Sequence, residues 1–401
     1  MPGAEGETPL HVKVIERKVI LLENQIQDLK YRLISNERKA AEEKRRKLDS
    51  KFKQKFKQQR LPAWQPILTA DTVLPAFFLI GLLFVPLGAA LLFFSRSVQE
   101  LQLDYTECLS INHTLANGDA RLCRDVIKDN PAELCICREN FTVHESFEKN
   151  VYLYYGLDNF YQNHRRYVKS RDDKQLLGRD DTTVSNDCNP FATDSEGRVY
   201  APCGAIANSM FNDTLRLFEV QESGSTELNL LKTGIAWPSD RKIKFNNPPG
   251  PLNASGAFKN NVKPLYWTKN VYDLDPDDPN NNGYKNEDLI VWMRSAAFPT
   301  FRKLYRRIDH NMTGFKFGLH IGTYYLEVEY RYPVDSFGGK KRMILSTTSF
   351  LGGKNNFLGI AYITVGCICL LLGIIFLIIH IKFGKRAVDQ LNINQNTPYS
   401  D

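Results

Sequence analysis

VLPAFFLIGLLFVPLGAALLFF (73–94) and FLGIAYITVGCICLLLGIIFLII (357–379) decide how this 401-residue chain is built. Neither stretch contains a charged side chain. As α-helices rising 1.5 Å per residue, each is roughly 33 Å long, enough to cross a bilayer's hydrocarbon core with modest tilt. A core helix of a soluble protein seldom runs past ~14 residues without a polar face. Both stretches therefore predict transmembrane helices. Neither is N-terminal, so neither reads as a cleaved signal peptide. Pro75 and Pro86 interrupt the first, which a packed membrane helix tolerates.

Working outward, the flanks set the orientation. Residues 1–66 carry 16 Lys and Arg against 9 Asp and Glu, with Lys51, Lys53, Lys55, Lys57 and Arg60 crowding the first span. Lys382, Lys385 and Arg386 follow the second. By the positive-inside rule both ends are cytoplasmic, which places residues 95–356 outside the cell or in a lumen. Two other patterns agree. Six of the eight cysteines fall in that segment, as do all five Asn-x-Ser/Thr sequons, at Asn112, Asn140, Asn212, Asn253 and Asn311. An oxidising, glycosylating compartment accounts for both. The layout is then a cytoplasmic head (1–66), a first span (67–94), a lumenal or extracellular domain (95–356), a second span (357–381) and a cytoplasmic tail (382–401).

Cys108, Cys123, Cys135, Cys137, Cys188 and Cys203 can pair in fifteen ways, which spacing does not resolve. Cys188 and Cys203 are sequence neighbours that suit one loop-closing bridge. The other four crowd together just after the first span. A zinc site is the rival reading, but Cys-x-Cys lacks the usual spacer, so structural disulfides are expected. Cys367 and Cys369 lie inside the second span and read as small packing residues.

In the head, Val12, Ile15, Val19, Leu22, Ile26, Leu29 and Leu33 alternate spacings of three and four, predicting a short heptad helix over 12–36. Residues 37–60 carry 11 basic against 4 acidic side chains. Beside a membrane this suits anionic lipid headgroups or simply sets topology. With only Phe52 and Phe56 for stacking, it does not read as a nucleic-acid site.

Strand patterns dominate the large central segment. Tyr324, Leu326, Val328, Tyr330 and Tyr332 alternate with Thr323, Tyr325, Glu327, Glu329 and Arg331, the period of a half-buried strand. Residues 341–350 and 151–155 read as further strands, with turn-rich stretches at 246–256 and 275–283 between. Phe301, Leu304, Tyr305 and Ile308 fit helical spacing and predict a short helix. The expectation is one mostly antiparallel β domain with long connections.

Catalytic motifs are thin. The chain has no phosphate-binding loop ending in Gly-Lys-Ser/Thr, no Gly-x-Ser-x-Gly and no His-Glu-x-x-His. Asp278, Asn280, Asn282 and Gly283 imitate a calcium loop, but position twelve is Leu289. No metal or cofactor is expected. NHRRYVKSRDD (163–173) is a charged cluster lacking a nucleophile, and reads as a solvated or partner-facing surface. The spans carry no interior charge that could form a transport path.

Several long strings resemble one family. KQQRLPAWQPILTADTVLP (57–75), YYGLDNFYQNHRRYVKSRDD (154–173), APCGAIANSMFNDT (201–214), GIAW (234–237) and NNPPG (246–250) are similar to the cell-cycle control protein fifty, or ligand-effect-modulator-like, family. So are NEDLIVWMRSAAFPTFRKLYR (286–306) and KRMILSTTSFLGGKNNFLGIAYI (341–363). The heptad head departs from the short tails of that family. The resemblance implies a non-catalytic beta subunit in a heterodimer with a type-four P-type ATPase. That ATPase moves aminophospholipids to the cytoplasmic leaflet, and the subunit serves its assembly and exit from the endoplasmic reticulum. Localisation would span the endoplasmic reticulum, Golgi and endosomes, and the plasma membrane. Contacts are to the ATPase and membrane lipids, not nucleic acid. It also implies nested bridges Cys108–Cys137 around Cys123–Cys135, a Cys188–Cys203 bridge, and glycans foremost at Asn140 and Asn212. Asn163, His164, Arg165, Arg166, Pro248 and Pro249 are the expected partner contacts. Two other classes share the topology: a subunit of a two-span trimeric channel, which needs a polar or Gly/Ser-lined face on its second span where here non-apolar positions such as Thr364, Gly366 and Gly373 are few, and a lumenal adhesion or receptor protein.

Overall fold

The computed structural model describes residues 44–46, 50, 53–54, 57–58, 69–115, 118–148, 150–179 and 183–392. The heptad helix at 12–36 and most of the basic segment lie outside the described residues. The chain divides into two units, Met1–Val73 and Leu74–Asp401. In the first, short helical pieces and the opening of the first long helix are described.

Seven α-helices are described: α1 (Ala70–Arg96), α2 (Cys123–Asp129), α3 (Arg165–Lys169), α4 (Asp173–Leu176), α5 (Ala205–Asn208), α6 (Glu287–Met293) and α7 (Asn356–Asn392). The two apolar stretches are α1 and α7, and Pro75 and Pro86 lie within α1. Only 11% of the most apolar window of each helix is buried, and Leu82, Phe93 and Ile378 project outward. A core helix would hide those side chains; these two need lipid.

The spans pack on each other through a seam with a seven-residue repeat. Gly359 lies against Leu92, Gly366 against Val85 and Gly373 against Phe78. The helices are therefore antiparallel, and a heptad repeat of small residues brings their backbones close. A methyl group on Gly366 would stand 2.8 Å from Val85 Cγ2 and 3.0 Å from Val85 N. Next to the β domain, the Ser95 hydroxyl donates to Asn356 Oδ1 at 2.7 Å and accepts from the Asn355 N–H at 2.9 Å. These bonds tie the two helices together where the chain leaves and re-enters the bilayer.

Between the spans, alongside two two-stranded pairs, Phe147–Glu148 with Gly318–Leu319 and Val199–Tyr200 with Asn261–Val262, two large antiparallel sheets form most of the domain. Their strands are β1 (Glu100–Asp104), β2 (Leu109–Thr114), β3 (Ala120–Leu122), β4 (Cys135–Val143), β5 (Tyr152–Leu157), β6 (Thr214–Gln221), β7 (Gly224–Glu227), β8 (Leu230–Leu231), β9 (Phe301–Ile308), β10 (Gly322–Tyr330) and β11 (Lys341–Ser346). One sheet runs β1-β11-β5-β9-β8, the other β3-β2-β4-β10-β6-β7. The alternation at 323–332 is realised in β10, where Tyr324, Leu326, Val328 and Tyr330 are fully buried. Leu153, Leu157, Met343 and Leu345 do the same for the other sheet. Each such side chain contributes about 1.5–3 kcal/mol by leaving water.

The expected helix at 301–308 is a strand. β9 pairs with β5 through Phe301↔Leu157 to Leu304↔Tyr154, then resumes at Arg306↔Leu153. Tyr305 is the extra residue of a β-bulge, which shifts the phase of every later residue. Tyr305 and Ile308 thus both face the core at a spacing of three, an interval that imitates a helix. The strand expected over 341–350 stops at Ser346, before the turn closed between Ser349 and Gly352.

Three disulfides staple the domain. Cys108–Cys137 and Cys123–Cys135 have Cα separations of 5.9 and 5.5 Å, and Cys188–Cys203 closes its own loop at 5.7 Å. The sulfurs of Cys108, Cys123 and Cys137 lie within 4.8 Å of one another because the first two bridges are neighbours. With those sulfurs bonded to sulfur, none is a thiolate for zinc.

Candidate partner-facing surface

The loop leaving β5 is pinned from below. Phe160 packs among Tyr167, Trp292, Phe301 and Phe337, and its N–H donates to Pro299 O at 3.0 Å. Gln162 is fully buried; its Oε1 accepts the Ala296 N–H at 2.9 Å. Asn163 Nδ2 donates to Ala297 O at 2.9 Å. These bonds stitch loop 158–164 to loop 294–299. Buried polar groups satisfied this way hold a backbone in one arrangement. Tyr161, 58% exposed, and Phe298, 72% exposed, are then presented to solvent from these two stitched loops.

The second loop is positioned by α6. Asn286 caps its start, with Oδ1 accepting the Leu289 N–H at 3.1 Å. Lys303 closes its end by donating to the carbonyls of Val291, Trp292 and Arg294 at 3.0, 2.6 and 2.7 Å. Carbonyls at a helix C-terminus welcome a cation. Burial nonetheless holds the Lys303 ammonium well below its ordinary pKa, and the nearby Arg294 charge acts the same way.

Arg294 joins a third loop. Its guanidinium lies 4.0 Å from the ring centre of Trp237, which is 60% exposed, and its NH1 meets Asp240 Oδ2 at 2.8 Å. Lys244 holds the other oxygen of Asp240 at 2.8 Å. Burial pushes the Asp240 pKa up, but bonds and charge from Lys244 and Arg294 outweigh it, and the net shift is downward. Beneath, the fully buried Glu287 accepts the N–H groups of Ile235 and Ala236 at 2.7 and 2.8 Å and pairs with Arg241 at 2.9 Å.

The charged cluster at 163–173 splits into two roles. Asn163, His164, Arg165 and Arg166 are exposed, and α3 buries no side chain. Ser170 and Asp172, both buried, are structural instead. The Ser170 hydroxyl accepts the Ala205 N–H at 2.9 Å. Asp172 caps α4 through Lys174 and Gln175 and takes the Ser185 N–H at 2.8 Å. Gly204, at φ +97°, brings its backbone so near Ser170 that a Cβ would overlap Ser170 O.

The Pro-rich loop connects indirectly. Asn246 N–H donates to Leu176 O at 2.8 Å, and Asn247 accepts the Tyr284 N–H at 2.7 Å while donating to Asn282 O at 2.9 Å. Pro248 is half-buried and Pro249 exposed. It is thus α4 that relates this loop to the arginines. Of the sequons, Asn112, Asn140, Asn253 and Asn311 are exposed. Asn212 is half-buried, lining a cleft of about 630 Å³.

The aromatic surface of Tyr161, Trp237 and Phe298 with Arg294 was absent from the sequence-based contacts. A signal existed: each of these residues stands in one of the strings that carry the family resemblance. Exposed Trp, Tyr, Phe and Arg on a fixed backbone are the residue types enriched at protein interfaces.

A two-span membrane protein with a disulfide-stapled, two-sheet domain between its spans is the class these features define. Residues 91–386 match the LEM3 (ligand-effect modulator 3) family / CDC50 family. Cell cycle control protein 50A of Mus musculus is 52% identical over 337 residues, covering 83% of this chain and 89% of the relative. Cell cycle control protein 50B of Homo sapiens is 45% identical over 341 residues, covering 83% and 94%. ALA-interacting subunit 3 of Arabidopsis thaliana is 41% identical over 344 residues, covering 85% and 89%. The chain belongs to the CDC50 family.

Proposed function

We propose that this chain is the non-catalytic accessory subunit of a type-four P-type ATPase that moves aminophospholipids to the cytoplasmic leaflet. It would serve that enzyme's assembly and its exit from the endoplasmic reticulum towards the Golgi, endosomes and plasma membrane. In this reading 1–66 and 382–401 are cytoplasmic, 95–356 is lumenal or extracellular, and the sequons carry glycans. The observation that carries it is the rigid aromatic and arginine surface of Tyr161, Trp237, Phe298 and Arg294, assembled from strings characteristic of the family. A subunit without chemistry of its own acts through binding free energy, favouring the partner conformations it contacts best.

A channel subunit would need a free polar or Gly/Ser-lined face on its second span. Gly359, Gly366 and Gly373 of α7 are instead taken up by α1. Affinity purification of the full chain from native membranes in mild detergent, followed by mass spectrometry, tests the proposal. The expected result is a multi-span P-type ATPase in equal amount. Recovery of the chain as a homo-oligomer without an ATPase would overturn it.

A further inference from the structure

A second apolar surface lies at the other end of the five-stranded sheet. The aromatic surface described above adjoins Phe301 and Leu157, which pair at one end. Glu100, Ser346 and Tyr152 pair at the other, and there the chain joins both membrane helices. At this end, Phe317 is 82% exposed, Ile321 61%, Phe350 95% and Leu351 52%. Apolar side chains this exposed, and gathered at one end of a domain, mark a surface that something covers.

Hydrogen bonding fixes where these residues stand relative to the spans. Gln99 follows the end of α1 by three residues, and its Oε1 accepts the Glu148 N–H at 3.2 Å. Glu148 pairs directly with Gly318, the neighbour of Phe317, and Phe147 pairs with Leu319. Phe315 is buried beneath and anchors this loop, so Phe317 and Ile321 flank a fixed segment. Thr347 is bonded to Gln99 in both directions, its N–H to Gln99 O at 3.0 Å and its hydroxyl accepting the Gln99 N–H at 3.1 Å. Asn355 is bonded to Ser95 at 2.9 Å. Phe350 and Leu351 lie between those two anchors. At ~3.5 Å per residue, Phe350 is held within about 10 Å of the Thr347 anchor.

We propose that loops 315–321 and 349–352 insert into the headgroup region of the leaflet that faces the β domain, so that this domain rests on lipid as well as being tethered to it. The occupant follows from continuity. Both loops border the ends of helices whose lipid-facing side chains start at Phe93 and Phe357, 71% and 78% exposed. Aromatic residues settle at the membrane–water interface, and lysines beside them extend their ammonium groups to the headgroups. Lys316, whose ammonium lies 5.8 Å from the Phe317 ring centre, and Lys354 occupy such flanking positions. Glu148, exposed across from Gly318, is the opposing charge, which suits a zwitterionic surface better than a strongly anionic one. The inference rests on the two spans alone and stands apart from the identity of any ATPase.

The test uses the full chain in phosphatidylcholine nanodiscs, with a nitroxide at F317C or F350C and C367A/C369A to remove the free thiols. Y161C, at the far end of the sheet, is the aqueous reference. Collision with a water-soluble nickel chelate should fall about threefold at 317 and 350 relative to 161, and collision with oxygen should rise, as for residues at the acyl boundary. Equal nickel accessibility at 317 and 161 in nanodiscs overturns the proposal. So does protection that appears only when a co-purified ATPase is present, since the loops would then belong to a protein contact.

Discussion

Lys341 and Asp213, 128 residues apart in sequence, meet at 2.7 Å with neither side chain exposed to solvent. Lys341 opens β11 of one sheet and Asp213 immediately precedes β6 of the other, so the pair joins the two sheets. Asp213 also accepts the N–H groups of Arg331 and Tyr332, each at 2.6 Å, and the Tyr105 hydroxyl at 3.2 Å. The ammonium of Lys341 donates to Tyr332 O at 2.8 Å and lies on the Tyr330 ring. A buried charge is tolerable when its bonds are all made, and costly when one partner is removed.

Lys341→Met should therefore cost about 3–5 kcal/mol by leaving Asp213 buried and unpaired. Lys341→Met with Asp213→Asn should recover part of that loss, read as the thermal unfolding midpoint in detergent. Burial lowers the Lys341 pKa to about 8, against the opposing pull of Asp213. Between about pH 8 and the ordinary lysine value near 10.4, the unfolded chain binds more protons, so the Lys341 contribution to stability rises with pH. The single variant should lose that rise. Identical pH slopes in both proteins would refute the assignment.

The seam between the spans gives a second expectation. Gly366→Leu places a side chain against Val85, where even a Cβ is tight. Overpacking of this kind costs about 1–3 kcal/mol. Crosslinking yield between cysteines placed at 84 and 362, where the rings of Phe84 and Tyr362 meet across the seam at 4.9 Å, should fall, while the three disulfides of the β domain still form. Unchanged yield would show that the helices are held together from outside the pair.

How much of this was legible in the sequence depends on the range of the interaction. The spans and β10 announce themselves because burial repeats at a local period: continuous for lipid, two for a half-buried strand. β9 does not, because the bulge at Tyr305 breaks its period. The Lys341–Asp213 pair was invisible, since no local pattern distinguishes a buried lysine from a solvated one. Asn163 to Arg166 were singled out by charge, and the structure leaves them exposed. Tyr161, Trp237 and Phe298 were missed because exposed aromatics look like core residues until the backbone is known.

Disulfide loss should act unevenly. Cys188–Cys203 closes a sequence separation of 15 and packs with Ala192, apart from the main core. Its removal by Cys188→Ser with Cys203→Ser should cost about 2–4 kcal/mol. Cys123 and Cys135 lie in the main core, so replacing that pair adds a packing loss. Secretory-pathway retention, followed by glycan maturation, should be the stronger for the 123–135 variant. The reverse order would contradict the packing argument.

For the partner surface, Arg165→Glu with Arg166→Glu changes exposed side chains of α3 and leaves its anchoring residue, Tyr167, in place. Folding and glycan processing should be normal, because surface substitutions shift stability by only about 0.5 kcal/mol. Phe298→Ala removes an exposed aromatic held by the same stitched loops. Interface anchors of this type are worth about 2 kcal/mol or more, so Phe298→Ala should lower ATPase co-purification more than the arginine variant does. Full co-purification with both variants would move the contact surface elsewhere.

The head supplies the last expectation. Residues 12–36 carry three heptads, which are marginal as an isolated helix and need a partner. Glu16, Glu23 and Asp28 are mixed among the bases, and a helix lying on a membrane would instead carry mostly Lys and Arg opposite its apolar face. We propose that the heptads meet a protein partner rather than lipid, with the basic stretch 37–60 lying between them and the bilayer. The family match begins at residue 91, and the resembling strings begin at 57, so the head lies outside both. Deleting 1–36 should leave folding, glycan maturation and ATPase co-purification intact and alter trafficking or regulation. Endoglycosidase H sensitivity and co-purification, measured on the same sample, decide the matter. Loss of both glycan maturation and the ATPase would place the head in the core of the complex.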